Sequence, residues 1–372
     1  MKLYGPKELA DLIPYPSYDA NKYSRGRCVL IGGSLSYPGA ISLAALASQR
    51  MGAGYTEVYT DMAVVGHVQA YHPSLVVRSW STWDTAMLPA STTRKPCAYV
   101  IGCGFDLEDP LMPSLVRRIL KNIEAPVLVD GSALRILSAR KMRTLSAQRF
   151  KAKLPTIITP HMGEANALAA IFGLSTREPD ELCLQLAQAY GVYCVLKGPD
   201  TYISDGEETL VMREGSAALA KAGTGDVLAG MIGALLAQGM EIMDACVLGT
   251  SLHARSALCA LEDVGEVSLI AEDVINYIPA AIKNLHTEGL HASSTTREEA
   301  LLQAAVSSAM QAELTGPYYP SKYRDAHDVK HIDRSVVDEL EGASTLRTED
   351  QSEGESLEDL DAKKRALESL EV

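Results

Sequence analysis

The run AKAGTGDVLAG at residues 220–230 places Gly223, Thr224 and Gly225 directly before the carboxylate of Asp226. Leu228, Met231, Ile232 and Leu235 then recur at three- and four-residue steps, which predicts a helix from Val227 onward with Gly-Thr-Gly as its entry loop. A Gly-rich helix entry can do either of two jobs. It can be a tight turn in which Asp226 caps the helix. It can equally be an anion cradle, in which free backbone N–H groups and the positive end of the helix dipole face a phosphate or a developing negative charge.

Two more stretches carry side chains suited to the same chemistry. In TPHMGE, residues 159–164, a proline forces a turn after TIIT, and His161 stands at the entry of the helix that carries Glu164 onward. The positive helix end disfavours its protonation, which suits it to hydrogen-bond a ligand as a neutral group; the plain alternative is a surface turn histidine that caps nothing. In LKGPDT, residues 196–201, Lys197 leaves an apolar strand just before a turn. There it is either a point charge for phosphate oxygens or a lysine snorkelling from a strand end. GGSLSYPGA at 32–40 and IGCG at 101–104 are small-residue turns that let a ligand approach the backbone, and packing alone can call for the same residues.

These motifs need elements to hold them, and the pattern supplies a sheet. RCVLIGG, TEVYT, AYVIGCG, PVLVDG, PTIITP and YCVLKG are short β-branched or apolar runs, mostly with Gly, Pro or Asp near the exit. Between them lie helical stretches such as AISLAALASQRMGAG, PLMPSLVRRILKNI, EANALAAIFG and ELCLQLAQAYG. Such alternation predicts an α/β fold, a three-layer α/β/α sandwich around a mostly parallel sheet. Ligands of these sheets sit at the carboxyl ends of the strands, which is where every motif above falls.

Composition narrows the partners. The 372-residue chain is 47% hydrophobic, enough for one large α/β domain or two smaller ones, and its net charge of −13 argues against a nucleic-acid backbone as partner. No apolar run reaches membrane-spanning length, and the N-terminus lacks a signal-peptide core, so a cytoplasmic protein with no membrane partner is expected. Seven cysteines, 28, 97, 103, 183, 194, 246 and 259, form no CxxC pair and read as reduced core residues. Only Cys103 lies beside an expected ligand loop, without an activating histidine nearby in sequence. From residue 290 the chain turns polar; SSTTREE precedes a helical run LLQAAVSSAMQAEL, and beyond Gly342 acidic residues dominate. We therefore expect a lead-in over 1–26, a catalytic domain over 27–289 and an extension over 290–372 that is partly disordered or a solvated helix without a catalytic role.

In order and spacing, GGSLSYPGA, TPHMGE, LKGPDT, AKAGTGDVLAG and the downstream LLAQG with His253 resemble the ADP- or ATP-dependent NAD(P)H-hydrate dehydratase family across residues 27–282. AGTGDVLAG after KGxxT is the most specific part, whereas GTGD also occurs in other ribokinase-like kinases. The resemblance implies a ribokinase-like fold and a repair activity that removes water from the S form of hydrated NADH or NADPH, driven by nucleotide cleavage, with ADP giving AMP and phosphate. It implies that Asp226 takes the proton of the attacking substrate hydroxyl while the amides of Gly223, Thr224 and Gly225 face the transferred phosphoryl group. It also implies substrate contacts at Ala40, Gly104, His161 and Asp226, and a nucleotide site along Lys197, Gly198, Pro199, Asp200 and Thr201 with Gly225. Mg²⁺ is expected on phosphates and water, because the sequence shows no carboxylate cage. A homotetramer is implied as well, and a separate epimerase as functional partner, since the stretch before Arg27 is too short to hold one. Two departures stand out: DGSAL at 130–134 has Ser132 where the family's DADAL-like segment has a second acid, and GCGFD at 102–106 has Asp106 in place of the last glycine of a GPGLG-like turn. Two other readings share these motifs, a ribokinase-like kinase of a small hydroxymethyl heterocycle and a nucleotide-binding protein without turnover.

Overall fold

The computed structural model describes residues 4–82, 88–174 and 178–294. All of its elements belong to one compact unit that lies within Met1–Gln311. The run LLQAAVSSAMQAEL and the acidic stretch after Gly342 lie outside the described residues.

Nine strands make one sheet. They are β1 (Arg27–Ile31), β2 (Tyr55–Thr60), β3 (Val76–Ser79), β4 (Cys97–Ile101), β5 (Val127–Val129), β6 (Thr156–Ile158), β7 (Tyr193–Leu196), β8 (Thr201–Ser204) and β9 (Thr209–Met212), in the spatial order β3-β2-β1-β4-β5-β6-β7-β8-β9. Neighbours from β3 to β7 pair in parallel, while β7–β8 and β8–β9 pair antiparallel. All six strands expected from the sequence are present, inside a mostly parallel sheet. The three others, VVRS, TYIS and TLVM, are four-residue strands at or near the edges, too short to show a period of their own. Because β8 begins at Thr201, the segment 197–200 is a tight connection between two paired strands.

Helices cover both faces. One face packs against α1 (Pro6–Asp11), α2 (Pro38–Arg50), α3 (Val65–Tyr71), α9 (Thr224–Ala237), α10 (Ile242–Val264) and α11 (Ala271–Ser294) through a core that includes Leu30, Val100, Leu128, Met231 and Leu252. The other packs against α4 (Met112–Asn122), α5 (Ser132–Leu137), α6 (Arg140–Lys151), α7 (Met162–Ala170) and α8 (Pro179–Tyr190) around Ile31, Tyr99, Ile119, Val129 and Leu186. This is the three-layer α/β/α arrangement that alternating strands and helices dictate. Six cysteines are buried, Cys259 is half-buried, and all seven are free thiols.

Two features aim the sheet's carboxyl edge. Chain order reverses between β1 and β4, so the loops that follow them part at a topological switch point. Helix α9 approaches both a neighbouring helix and the sheet closely because it lacks side chains where it touches them: a Cβ on Gly230 would sit 2.0 Å from the Ala44 carbonyl oxygen of α2, and one on Gly233 would sit 2.2 Å from Val100 of β4. Helix α11 runs through residue 289 to Ser294, so the compositional boundary at 290 falls inside it. It also holds the lead-in, since a Cβ on Gly289 would sit 2.3 Å from the Cβ of Ala10 in α1. Among the described residues no helix is long and apolar enough to cross a membrane.

Candidate active site

Helix α9 starts three residues earlier than its apolar spacing suggests. Gly223 occupies the N-cap with φ +95°, a value that favours glycine, and Thr224, Gly225 and Asp226 already form the first turn. Asp226 is therefore not a cap; no side chain caps this helix. The Thr224 hydroxyl is taken up by the Leu219 and Lys221 carbonyls at 2.8 and 2.9 Å, which fixes the approach of the chain. Its amide points back to Lys221 O in a long 3.4 Å bond, so of the three amides expected to face an anion, that of Thr224 is turned away. The Gly225 and Asp226 amides have no acceptor among the described residues, as an open first turn dictates. Buried His253 on α10 holds the turn from behind, its Nε2 2.9 Å from the Thr224 carbonyl. Burial pushes His253 down to about 4, so the ring is neutral and its Nε2–H donates this bond.

The loops leaving the strands close on that turn. Lys197, just past β7, sends its Nζ to Asp130 Oδ1 at 2.9 Å, across the intervening β6. A Cβ on Gly225 would stand 3.3 Å from the same Nζ, so the ammonium lies directly against the first turn of α9. The side chain expected to await a phosphate thus rests on a carboxylate that is 3% exposed. The ligand atoms of Cys103, Asp130 and Asp226 lie within 4.8 Å of one another. Burial pushes the Asp226 carboxyl up to about 6, with the Asp130 charge adding to the rise, while the Cys103 thiol and the Lys197 ammonium pull it partly back. Burial and the same two carboxylates push the Cys103 thiol well above its ordinary value, so it stays protonated and is no nucleophile.

At the switch point, Gly33 N donates to Cys103 O at 2.8 Å, which ties the loop after β1 to the loop after β4. A Cβ on Gly104 (φ +73°) would meet Ala40 Cβ at 3.0 Å, so these two expected substrate contacts face each other at the switch point. Asp106 accepts from Ser36 Oγ and from Glu108 N, both at 3.0 Å, a polar tie that a glycine there could not make. His161 is the N-cap of α7: its Nδ1 accepts from Gly163 N at 3.0 Å and Glu164 N at 3.4 Å, while Glu164 Oε2 accepts from His161 N at 2.9 Å. It is a surface histidine, but a reciprocal capping one, and its Nε2 lies 3.6 Å from Glu164 Oε2. It pairs with Lys197 in an isolated parallel bridge. Gly198 and Pro199 are exposed, Asp200 lies 3.7 Å from Arg213, and Gly215 leaves no space for a Cβ beside the Pro199 carbonyl at 2.1 Å.

The structure thus brings Asp226, Gly225 and Lys197 together, and separately Ala40 with Gly104. It adds Asp130 and Cys103, whose proximity to Asp226 had no local signal in the sequence. Cys103, Asp130 and Asp226 form the only acid-and-thiol group among the described residues tight enough for an ion. They do not fit a hard cation: one ligand is a protonated thiol and one carboxylate is already paired with Lys197.

The family model described as NAD(P)H-hydrate dehydratase matches residues 28–280. A bifunctional NAD(P)H-hydrate repair enzyme of Hyperthermus butylicus is 30% identical over 294 residues, which cover 75% of this chain and 52% of that protein. The chain spans about half the length of the curated relatives of this type that it matches. An ADP-dependent (S)-NAD(P)H-hydrate dehydratase of Xanthomonas campestris pv. campestris is 28% identical, with 73% of this chain and 93% of that protein covered. Among solved structures, the ADP/ATP-dependent NAD(P)H-hydrate dehydratase of Bacillus subtilis, co-crystallized with ATP/Mg2+, superposes with a TM-score of 0.62 at 25% identity, covering 76% of this chain and 97% of that one.

Proposed function

The chain belongs to the NAD(P)H-hydrate dehydratase family, and on that premise we propose that it dehydrates the S form of hydrated NADH and NADPH at the expense of ADP, with ATP as the alternative donor. The observation that carries this reading is the placement of the Asp226 carboxylate in the open first turn of α9, beside the Lys197 ammonium and the paired loops of Ala40 and Gly104.

Hydroxide is a poor leaving group, so the substrate hydroxyl is first phosphorylated. Its oxygen attacks the terminal phosphoryl group of ADP, the bond to AMP breaks, and Asp226 takes the hydroxyl proton. The Gly225 and Asp226 amides and the Lys197 ammonium stabilise the charge that spreads over the phosphoryl oxygens, an effect of a few kcal/mol per preorganised donor. The new phosphate ester then leaves, pushed by the lone pair of the ring nitrogen, and loss of a proton from the neighbouring ring carbon restores the dihydronicotinamide. Ala40, Gly104 and the Nε2 edge of His161 form the substrate side of the cleft; the 198–201 connection forms the nucleotide side. Mg²⁺ would come in on the phosphates of the nucleotide and would help neutralise the charge of the transferred phosphoryl group, beside the Lys197 ammonium.

The remaining assignments of this reading are a homotetramer in the cytoplasm, working beside a separate epimerase. The deciding experiment mixes protein with hydrated NADH, Mg²⁺ and either ADP or ATP and follows the dihydronicotinamide absorbance. A rise that depends on one nucleotide supports the repair reaction and identifies the donor. No rise with either, while ADP is bound, overturns it in favour of another hydroxyl substrate.

A further inference from the structure

Asp130 lies outside the residues that this reading places on substrate or nucleotide, yet it is the buried partner of one and the near neighbour of another. It follows β5, Lys197 follows β7, and their 2.9 Å ion pair spans the end of β6. The three strand ends are stitched beneath it, with Thr159 N donating to Val129 O at 3.3 Å and Lys197 N to Pro160 O at 2.8 Å. Left to its four-carbon stem, a lysine at a strand exit would extend into water; here its side chain is folded back until only 21% remains exposed. The Thr159 hydroxyl, 1% exposed just past the strand between the two, has no hydrogen-bond partner among the described residues. The hold on Lys197 therefore comes from Asp130 and not from the strand it crosses.

We propose that Asp130 is a positioning residue, which pins the Lys197 ammonium against Gly225 so that one cation stands ready for the transferred phosphoryl group beside Asp226. It rests on the reaction proposed above for its kinetic consequence only; the charge arrangement stands without it. The ionisable groups facing Asp226 are Cys103 from the loop after β4, Asp130 from β5 and Lys197 from β7. Glu164 of α7 acts on Lys197, and neutral His253 closes the site from α10. Asp130 thus has two opposed effects on Asp226: it repels its ionised form directly, and it holds in place the ammonium that favours it.

The test titrates the Asp226 carboxyl by ¹³C NMR in the intact chain, assigned by the signal lost in Asp226→Asn, and measures turnover in parallel. Asp130→Asn keeps the shape and a hydrogen-bond acceptor but removes the charge. We expect the Asp226 midpoint to rise in Lys197→Met, and we expect Asp130→Asn to lower it by about one pH unit in the Lys197→Met background but by less than about half of that in wild type, where the ammonium is released at the same time. We expect turnover in Asp130→Asn to drop roughly tenfold or more while ADP affinity changes less than about threefold, the mark of a misplaced cation in the transition state. An equal fall in the two backgrounds, which would leave Lys197 in place without Asp130, or a loss confined to ADP affinity, overturns the proposal. If Asp130→Asn does not fold, Asp130→Ser takes its place in both backgrounds and the same comparison is read. Should wild-type protein not dehydrate hydrated NADH at all, the function proposed above falls, and the NMR comparison still decides this one.

Discussion

In the proposed reaction Asp226 takes the substrate proton, and the place that holds it carries an expense in stability. Its carboxyl sits near 6 where an ordinary one titrates near 3.8, burial being the first cause and Asp130 the second. The folded state thus keeps this proton longer than the unfolded chain does. Ionising Asp226 therefore subtracts stability: nothing is lost below about pH 4, the loss grows between about pH 4 and 6, and it is complete above, on the order of 2–3 kcal/mol. Asp226→Asn should accordingly melt about 5 °C higher than wild type at pH 7.5 and show no such gain at pH 4, while its turnover falls by a factor of about 10² to 10⁴. The same ionisation makes wild-type turnover fall with pH below about 6, where the base becomes protonated. Scanning calorimetry at the two pH values and a pH–rate profile check both; an unchanged melting temperature at pH 7.5 would remove the strained carboxylate from the account.

At the scale of elements, α9 is placed by what it lacks. Gly230 and Gly225 look alike in the sequence and do different work. A methyl group on Gly230 meets backbone, the Ala44 carbonyl at 2.0 Å, which neither helix can yield without separating. Gly230→Ala should cost about 2 kcal/mol or more, within the range of overpacked cores. A methyl group on Gly225 meets only the tip of the Lys197 side chain at 3.3 Å, a contact that a shift of a few tenths of an ångström relieves. Gly225→Ala should keep its melting temperature within about 2 °C yet lose turnover roughly a hundredfold, because the methyl takes the space between the amides and Lys197 where a phosphoryl group must lie. Thermal melts beside steady-state rates separate the two variants, and equal behaviour would contradict this division of labour.

For the molecule as a whole, α11 packs into the core beside α9, and the polar region beyond it is proposed to be dispensable. Val274, Ile275, Ile278 and Leu285 of α11 are buried in the same core as Leu9 of α1, so the lead-in and the last described helix support each other across the chain. A chain ending after Ser294 should fold and turn over like the full protein. One ending after Ile270 should be insoluble, since removing α11 bares that apolar face to water. Expression, circular dichroism and activity of the two truncations check this. Loss of folding on cutting at 294 would make residues beyond it part of the fold.

The strand and helix alternation made the layered α/β fold legible, because a parallel sheet covered on both faces demands apolar strands and long crossover helices that leave their period in the sequence. The glycines at strand exits and the GTGD turn were legible for the same local reason: positive φ and close backbone approach leave few other choices. The start of α9 was misread by three residues because Thr224 and Gly225 carry no apolar side chain to show the period, and the edge strands were missed because four residues give none. Only the tertiary structure could show Asp130 holding Lys197, 67 residues away, or Cys103 beside Asp226. Ion pairing and burial depend on distance in space, and strand order, which no local pattern encodes, decides which exits become neighbours.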